Sequence, residues 1–355
     1  MLGSRYLLGE KLGGGSFGEI FVAENVNTSE EVAVKVEMKN NKIQLLKNES
    51  AIYRLLQGGV GIPNIKYYGS DDNQNALVMD LLGKSLQTLF NENNKSFSLK
   101  TVLMIADQMI TRVEYLHHKN LIHRDIKPDN FVIGKGKKSN QIYMIDMGIS
   151  KPYCNRYTHE HIKFCTGKSV SGTIRYTSIN SHMGHEQSRR DDLESVAYVL
   201  VYLLKGTLPW INVQASNKTE KNQIIRDLKI NTPIEQICEG IPQEFADFLG
   251  SVRSLSFEEK PNYAKYRKMF RKLFIRENFV YDFQYDWMIP KQTKIIAQPI
   301  IANDTLECKN SATCALPHIL KPKQGISQYK ARERLHPKIS RGVHSNLCTN
   351  RKNMH

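Results

Sequence analysis

Apolar and polar residues alternate over the first eighty positions, in short runs that end at turn residues. Tyr6–Leu12, Ile20–Glu24 and Glu31–Glu37 read as strands separated by Gly or Asn/Thr/Ser turns. Ile43, Leu46, Ile52, Leu55 and Leu56 then fall at helical spacing, which predicts a helix over 43–57, and Ala76–Leu81 is a further apolar strand. After that the period changes from two to that of a helix. Val102, Ile105, Ala106, Met109, Val113 and Leu116 form one amphipathic face, and helical patterns recur over 219–229, 242–253 and 262–275. Asp191–Lys205 is apolar on nearly all sides, as in a helix buried all round. The pattern predicts an α+β chain with a small β-rich lobe, about residues 1–82, and a larger helical lobe, about 83–289.

Composition changes this picture mainly at the C-terminal end. The chain has 355 residues, 40% hydrophobic and 24% charged, as in an ordinary soluble globular protein. Its net charge is +15, which favours anionic partners without choosing among them. Beyond Pro290 twelve basic residues face only Asp304, Glu307 and Glu333, so +9 of that charge sits in residues 290–355, where periodicity fades. That stretch is expected to be a flexible basic tail. The longest apolar run, Val196 to Leu204, is too short for a span of about 20 helical residues. The start has no leader pattern, Leu2 stands where myristoylation needs Gly, and the last four residues lack a prenylation Cys, so no membrane anchor is expected. The six cysteines lack zinc-ligand spacing and read as reduced thiols. The expected location is cytoplasmic, with the nucleus left open.

Four motifs carry chemistry. Gly13-Gly14-Gly15-Ser16-Phe17-Gly18-Glu19-Ile20 contains G-x-G-x-x-G, whose bare backbone can approach phosphates closely. A dinucleotide fold would start a helix after the last glycine. Here Ile20–Ala23 looks like a strand, which places the glycines in a β-hairpin. Val32-Ala33-Val34-Lys35 puts a lysine within an apolar strand, where it needs an anion: nucleotide phosphates, and a carboxylate such as Glu49 on the next helix. Glu37 shares the strand parity of Lys35 but lacks that helix geometry. His123-Arg124-Asp125-Ile126-Lys127-Pro128-Asp129-Asn130 is H-R-D-x-x-x-x-N in full: Asp125 can orient a substrate hydroxyl, Lys127 can reach the γ-phosphate and Asn130 can ligate magnesium. Asp146-Met147-Gly148 sits at the D-F-G position, with Asp146 a hard oxygen ligand for magnesium and Met147 in the apolar slot of Phe.

In this order the motifs resemble the eukaryotic protein-kinase fold. Gly172–Asn180 with Ser178-Ile179-Asn180, then Glu186–Ser195, then Leu208-Pro209-Trp210, resemble the casein kinase I family in particular, over about Tyr6 to Ile289. The resemblance implies a bilobal serine/threonine kinase using ATP and Mg2+, acting as a monomer on acidic or phosphate-primed protein substrates. It implies nucleotide contacts at Leu12, Gly13, Gly15, Ser16, Phe17, Gly18, Ile20, Ala33, Lys35 and Met79, and at the backbone of Asp80 and Leu82. It implies two anion sites, one at Arg175 and Lys221, the other at Arg124, Lys151 and Lys168. Asn212 in place of Gly, and Lys218-Thr219-Glu220-Lys221 in place of a more basic run, should weaken the first. Lys84 replaces a proline of the family, so a looser linker is expected there. Thr166, Ser169, Ser171 and Thr173 are the hydroxyls of the activation loop, and the resemblance favours activity without their phosphorylation. Asp192 is expected to cap the backbone of the catalytic loop. Two other readings stay open on sequence: a pseudokinase scaffold, and a kinase whose tail is a nucleic-acid or microtubule tether, although Tyr329 is the tail's only aromatic.

Overall fold

A computed structural model describes residues 5–15, 18–41 and 44–289, all within one compact unit, Met1–Thr293. Ser16, Phe17, Ile43 and the tail lie outside the described residues, and so do the expectations placed on them. Five antiparallel strands open the chain: β1 (Tyr6–Gly15), β2 (Gly18–Asn25), β3 (Glu31–Met38), β4 (Ile65–Ser70) and β5 (Gln74–Asp80), in the order β1-β2-β3-β5-β4. Helix α1 (Leu46–Leu56) is inserted between β3 and β4. The period of two decides which side chain faces where. Val32, Val34 and Val36 of β3 pack with Tyr6, Ala23, Ala76 and Val78 on one face of the sheet. Ala33, Lys35 and Glu37 therefore point to the other face, toward α1 and the second lobe.

That second lobe is helical. It comprises α2 (Leu86–Glu92), α3 (Leu99–His118), the short strands β6 (Leu121–Ile122), β7 (Phe131–Ile133), β8 (Ile142–Met144) and β9 (Lys151–Pro152), and α4 (Ile179–His182). Then come α5 (Arg189–Lys205), α6 (Lys218–Asn231), α7 (Ile234–Ile237), α8 (Gln243–Arg253) and α9 (Tyr263–Arg276). Helix α5 is the buried axis expected from its composition, every residue from Asp191 to Leu203 being buried. It starts with a capping box of Ser188 and Asp191 and stops at Gly206 in the left-handed region, φ 79°. Among the described residues no helix is long and apolar enough to cross a membrane.

Three expectations change. Strand β4 and helix α2 were not legible. The residues of β4 are at most half-buried and gain order from pairing with β5, and α2 is a two-turn helix capped by Ser85. The linker is not loose: the Gly83 N–H donates to the Ile133 carbonyl (2.8 Å) and Lys84 accepts from the Ile133 N–H (3.0 Å), so β7 pins it, while the Lys84 ammonium pairs with Glu92 at 2.7 Å. Glu37, set aside as a partner for Lys35, has a different task. It is fully buried and its Oε1 accepts the N–H groups of Leu45 (2.6 Å) and Leu46 (3.1 Å), while Oε2 accepts from Asn75 (3.1 Å). A carboxylate on β3 thus satisfies the start of α1, which has no side-chain cap of its own, and fixes that helix against the sheet.

Candidate active site

The cleft between the two lobes encloses about 340 Å³ and is lined by Gly14, Gly18, Ile20, Ala33, Lys35, Glu49, Tyr53, Met79, Lys127, Asp129, Asn130, Ile145 and Asp146. The glycine motif is a hairpin, with Gly15 opposite Gly18 across β1 and β2. Gly18 cannot be replaced cheaply: its φ is +150° and a Cβ would lie 2.4 Å from the Val36 carbonyl oxygen.

Lys35 occupies the centre. Its ammonium is 2.7 Å from Glu49 Oε2 and 2.9 Å from Asp146 Oδ1. Burial works against its charge, but Glu49 and Asp146 together outweigh burial and raise its pKa, so it is fully protonated. Burial pushes Glu49 up against the pull of Lys35 and of the Met147 N–H. For Asp146 the balance goes the other way: burial would raise it, yet Lys35, with His123 and Lys127 adding, holds the carboxyl below the usual range. Asp146 sits in the left-handed region at φ 65°, and its N–H donates to the Tyr53 hydroxyl at 3.0 Å. Tyr53, four residues after Glu49 on the same face of α1, was missed by sequence reasoning, although that spacing was a usable signal. Met147 is fully buried in the main core, as its apolar slot requires.

Asp125 lies just below the cleft. Its Oδ2 accepts from Lys127 (2.8 Å), and its Oδ1 accepts from both the N–H (2.7 Å) and the hydroxyl (2.8 Å) of Thr173. Thr173, one of the activation-loop hydroxyls, is thus part of the catalytic-loop hydrogen bonding. Asn130 donates to the Asp125 carbonyl at 2.9 Å, which leaves its amide oxygen for the cleft it lines. The loop is held from beneath. Asp192 accepts from the backbone N–H groups of His123 (2.7 Å) and Arg124 (2.9 Å) and pairs with the His117 ring (2.9 Å), as the sequence led us to expect.

Arg124, Lys151 and Lys168 do come together, around a cavity of about 240 Å³ that Ser171, His185, Glu186 and Gln187 also line. Arg124 donates to the Ile149 carbonyl (3.1 Å) and the Ser171 hydroxyl (3.0 Å), and its Nε is buried without a partner among the described residues. Glu186, not singled out before, pairs with Lys151 at 2.7 Å and with Lys168 at 3.6 Å. Arg175 and Lys221 do not line this cavity. Arg175 lies against the rings of Tyr176 and Tyr202, and Lys221 is exposed on the first turn of α6. Leu12, Gly13, Asp80 and Leu82 stand outside the lining of the cleft. The N–H of Asp80 is already used by the Asn64 carbonyl (3.0 Å), and its carboxylate by Asn64 (2.8 Å) and Lys66 (3.2 Å).

A glycine hairpin over a buried lysine–carboxylate pair, facing an Asp, a Lys and an Asn on a rigid loop, defines a phosphate-handling cleft between lobes, the arrangement of a phosphotransferase. The family model of the protein kinase domain matches residues 6–269, and the chain belongs to that family.

Proposed function

We propose that this kinase is a serine/threonine kinase of the casein kinase I type, which transfers the γ-phosphoryl group of ATP to acidic or phosphate-primed protein substrates. The observation that carries the substrate class is the convergence of Arg124, Lys151 and Lys168 on one cavity beside the catalytic loop. Guanidinium and ammonium groups gathered in this way bind a phosphate through charge-assisted hydrogen bonds. Lys127, two residues after Asp125 and paired with it, resembles the catalytic-loop lysine of serine/threonine rather than tyrosine kinases, which supports the serine/threonine assignment.

In this reading adenine lies against Ala33, Ile20 and Met79, with the backbone of Asp80 and Leu82 at its edge. Lys35, held by Glu49, grips the α/β-phosphates under the glycine hairpin. Asp146 and Asn130 present the oxygen donors that suit magnesium, which is commonly held by one or two carboxylates together with substrate phosphates. Magnesium would supply neutralisation of phosphate charge there. Asp125 orients the acceptor hydroxyl and takes up its proton, and Lys127 balances charge on the γ-phosphoryl group.

Glu186 sets a testable condition on priming. Burial would push its carboxyl up, but the bond to Lys151 outweighs burial and keeps it ionised. A priming phosphate therefore competes with Glu186 for Lys151 and Lys168. Glu186→Gln is expected to lower the KM for a phosphate-primed Ser peptide by roughly 2- to 5-fold, as expected for loss of a partly exposed pair. The KM for an unprimed neutral peptide should not change. Steady-state kinetics on the two peptides test this. A primed peptide used no better than an unprimed one by the wild-type enzyme would remove the anion site from the account.

A further inference from the structure

A second cavity, about 770 Å³, lies between α3, α9 and the segment 279–283 and shares no lining residue with the cleft between the lobes. Its walls are largely apolar, from Leu103, Phe270, Phe274, Ile275, Tyr281 and Phe283. The volume is in the range of small-molecule sites, which typically combine such walls with a few placed polar groups.

Among the polar residues that also line it, Arg112 is the buried cation. It lines the cavity, yet the residue is only 5% exposed. Its Nε donates to the Ile142 carbonyl (2.9 Å) and its Nη2 to Gln108 Oε1 (3.2 Å). Nη1 makes no hydrogen bond among the described residues and is not one of the polar atoms shut off from solvent there, and no carboxylate is bonded to the guanidinium. The one negative charge in the lining, Asp107, acts on Arg112 without bonding to it. Asp107 is engaged by Arg271 through two bonds of 2.8 and 3.1 Å, so the lining keeps one positive charge in excess. A guanidinium stays charged at neutral pH, and a buried charge without a counter-ion is costly. The hydrogen bond to Ile142 alone does not explain an arginine, because a neutral donor would serve that carbonyl equally well.

The pose of Arg112 is fixed from several sides. Gln108 Oε1 also accepts from the Ile142 N–H (2.8 Å), and its Nε2 donates to the Asn140 carbonyl (2.9 Å) and the Tyr285 hydroxyl (2.7 Å). Gly61, at φ +75°, brings its backbone so close that a Cβ would lie 1.9 Å from Arg112 Nε. A cation held rigidly at an apolar cavity is pre-organised for a ligand, and pre-organisation lowers the entropy lost on binding.

We propose that this cavity binds a small amphipathic anion, a carboxylate with an aliphatic or aromatic body, whose head pairs with Arg112 and whose body lies on Phe270, Phe274, Ile275 and Tyr281. The site is independent of the cleft and of the substrate class argued above.

The test uses the full chain and sodium decanoate as the probe, with decanol as its uncharged counterpart, read by isothermal titration with and without a saturating non-hydrolysable ATP analogue. Decanoate is expected to bind at least 10-fold more tightly than decanol, the charge being the difference, and the nucleotide analogue should not displace it. Ile275 is 72% exposed, so Ile275→Glu should fold normally while placing a negative charge at the rim, and it should weaken decanoate binding at least 10-fold. Arg112→Gln should abolish the preference for decanoate over decanol. If that variant does not fold, Ile275→Glu decides alone. Equal affinity for decanoate and decanol, displacement by the nucleotide analogue, unchanged binding in Ile275→Glu, or no decanoate binding at about 1 mM would each overturn the proposal.

Discussion

Replacing Asp146 by Asn is expected to lower kcat/KM for peptide phosphorylation by about 10³-fold while leaving the fold in place. The scale is that of removing one electrostatic stabiliser from a reacting centre. Asn matches Asp in size and is among the residues that tolerate the left-handed backbone which Asp146 adopts at φ 65°. Its side-chain oxygen can still accept from Lys35, now 2.9 Å from Asp146 Oδ1, and its N–H can still donate to Tyr53. Lys35 also keeps Glu49. What disappears is the negative charge, which the surrounding Lys35, His123 and Lys127 hold at low pKa in the wild type. The variant should therefore need more magnesium for whatever activity remains, and a magnesium titration of initial rates would show it. Equal activity and equal magnesium dependence in the two proteins would rule out Asp146 as a metal ligand.

Asp125→Asn should act on a different quantity. Asp125 does not line the nucleotide cleft, so the KM for ATP should change little. Its two carboxylate oxygens accept from four donors, the Lys127 ammonium, the N–H and hydroxyl of Thr173 and, at 3.5 Å, the Asn130 amide. An amide has one acceptor oxygen, and its NH2 would face a donor on one side. The site loses both the base that takes the acceptor proton and the charge that positions Lys127. A fall in kcat of roughly 10² to 10⁴-fold is expected, the usual contribution of a general base. Nucleotide affinity measured by titration should stay within about 2-fold of wild type, because the contacts of Lys35, Glu49 and Asp146 are untouched. An unchanged kcat, or loss of ATP binding, would contradict the assigned role.

The cleft was legible in the sequence because its residues come in contiguous runs whose spacing the chemistry demands. Lys35 with Glu49, and Asp125, Lys127 and Asn130 on one loop, could be read directly, and Asp192 could be placed under that loop. Residues that act across the chain were harder to see. Glu186 reaches Lys151 and Lys168 from distant positions, and Thr173 meets Asp125 only because the activation segment folds back over the catalytic loop. Glu37 shows the limit of strand parity, which correctly put it on the face of Lys35 but could not show that the start of α1 would be there to receive it. Lys229 is a similar case. The helical pattern over 219–229 does not single it out, yet it is fully buried, donates to the carbonyls of Ile174 (2.9 Å) and Thr177 (2.5 Å), and lies 4.9 and 5.1 Å from the ring centroids of Tyr198 and Trp210. Tertiary packing decided these positions, and no local propensity reports it.

Phosphoryl transfer to aliphatic hydroxyls is the reaction proposed for the cleft. Its most direct test is a single-turnover reaction of the full chain with radiolabelled ATP, magnesium and an equimolar mixture of acidic Ser, Thr and Tyr peptides, followed by phosphoamino-acid analysis. Phosphoserine and phosphothreonine are expected, with no phosphotyrosine, and loss of all label with Asp125→Asn. Tight ATP binding with no transfer to any peptide would contradict it and make the protein a nucleotide-binding scaffold, and label on tyrosine would contradict the assigned substrate class.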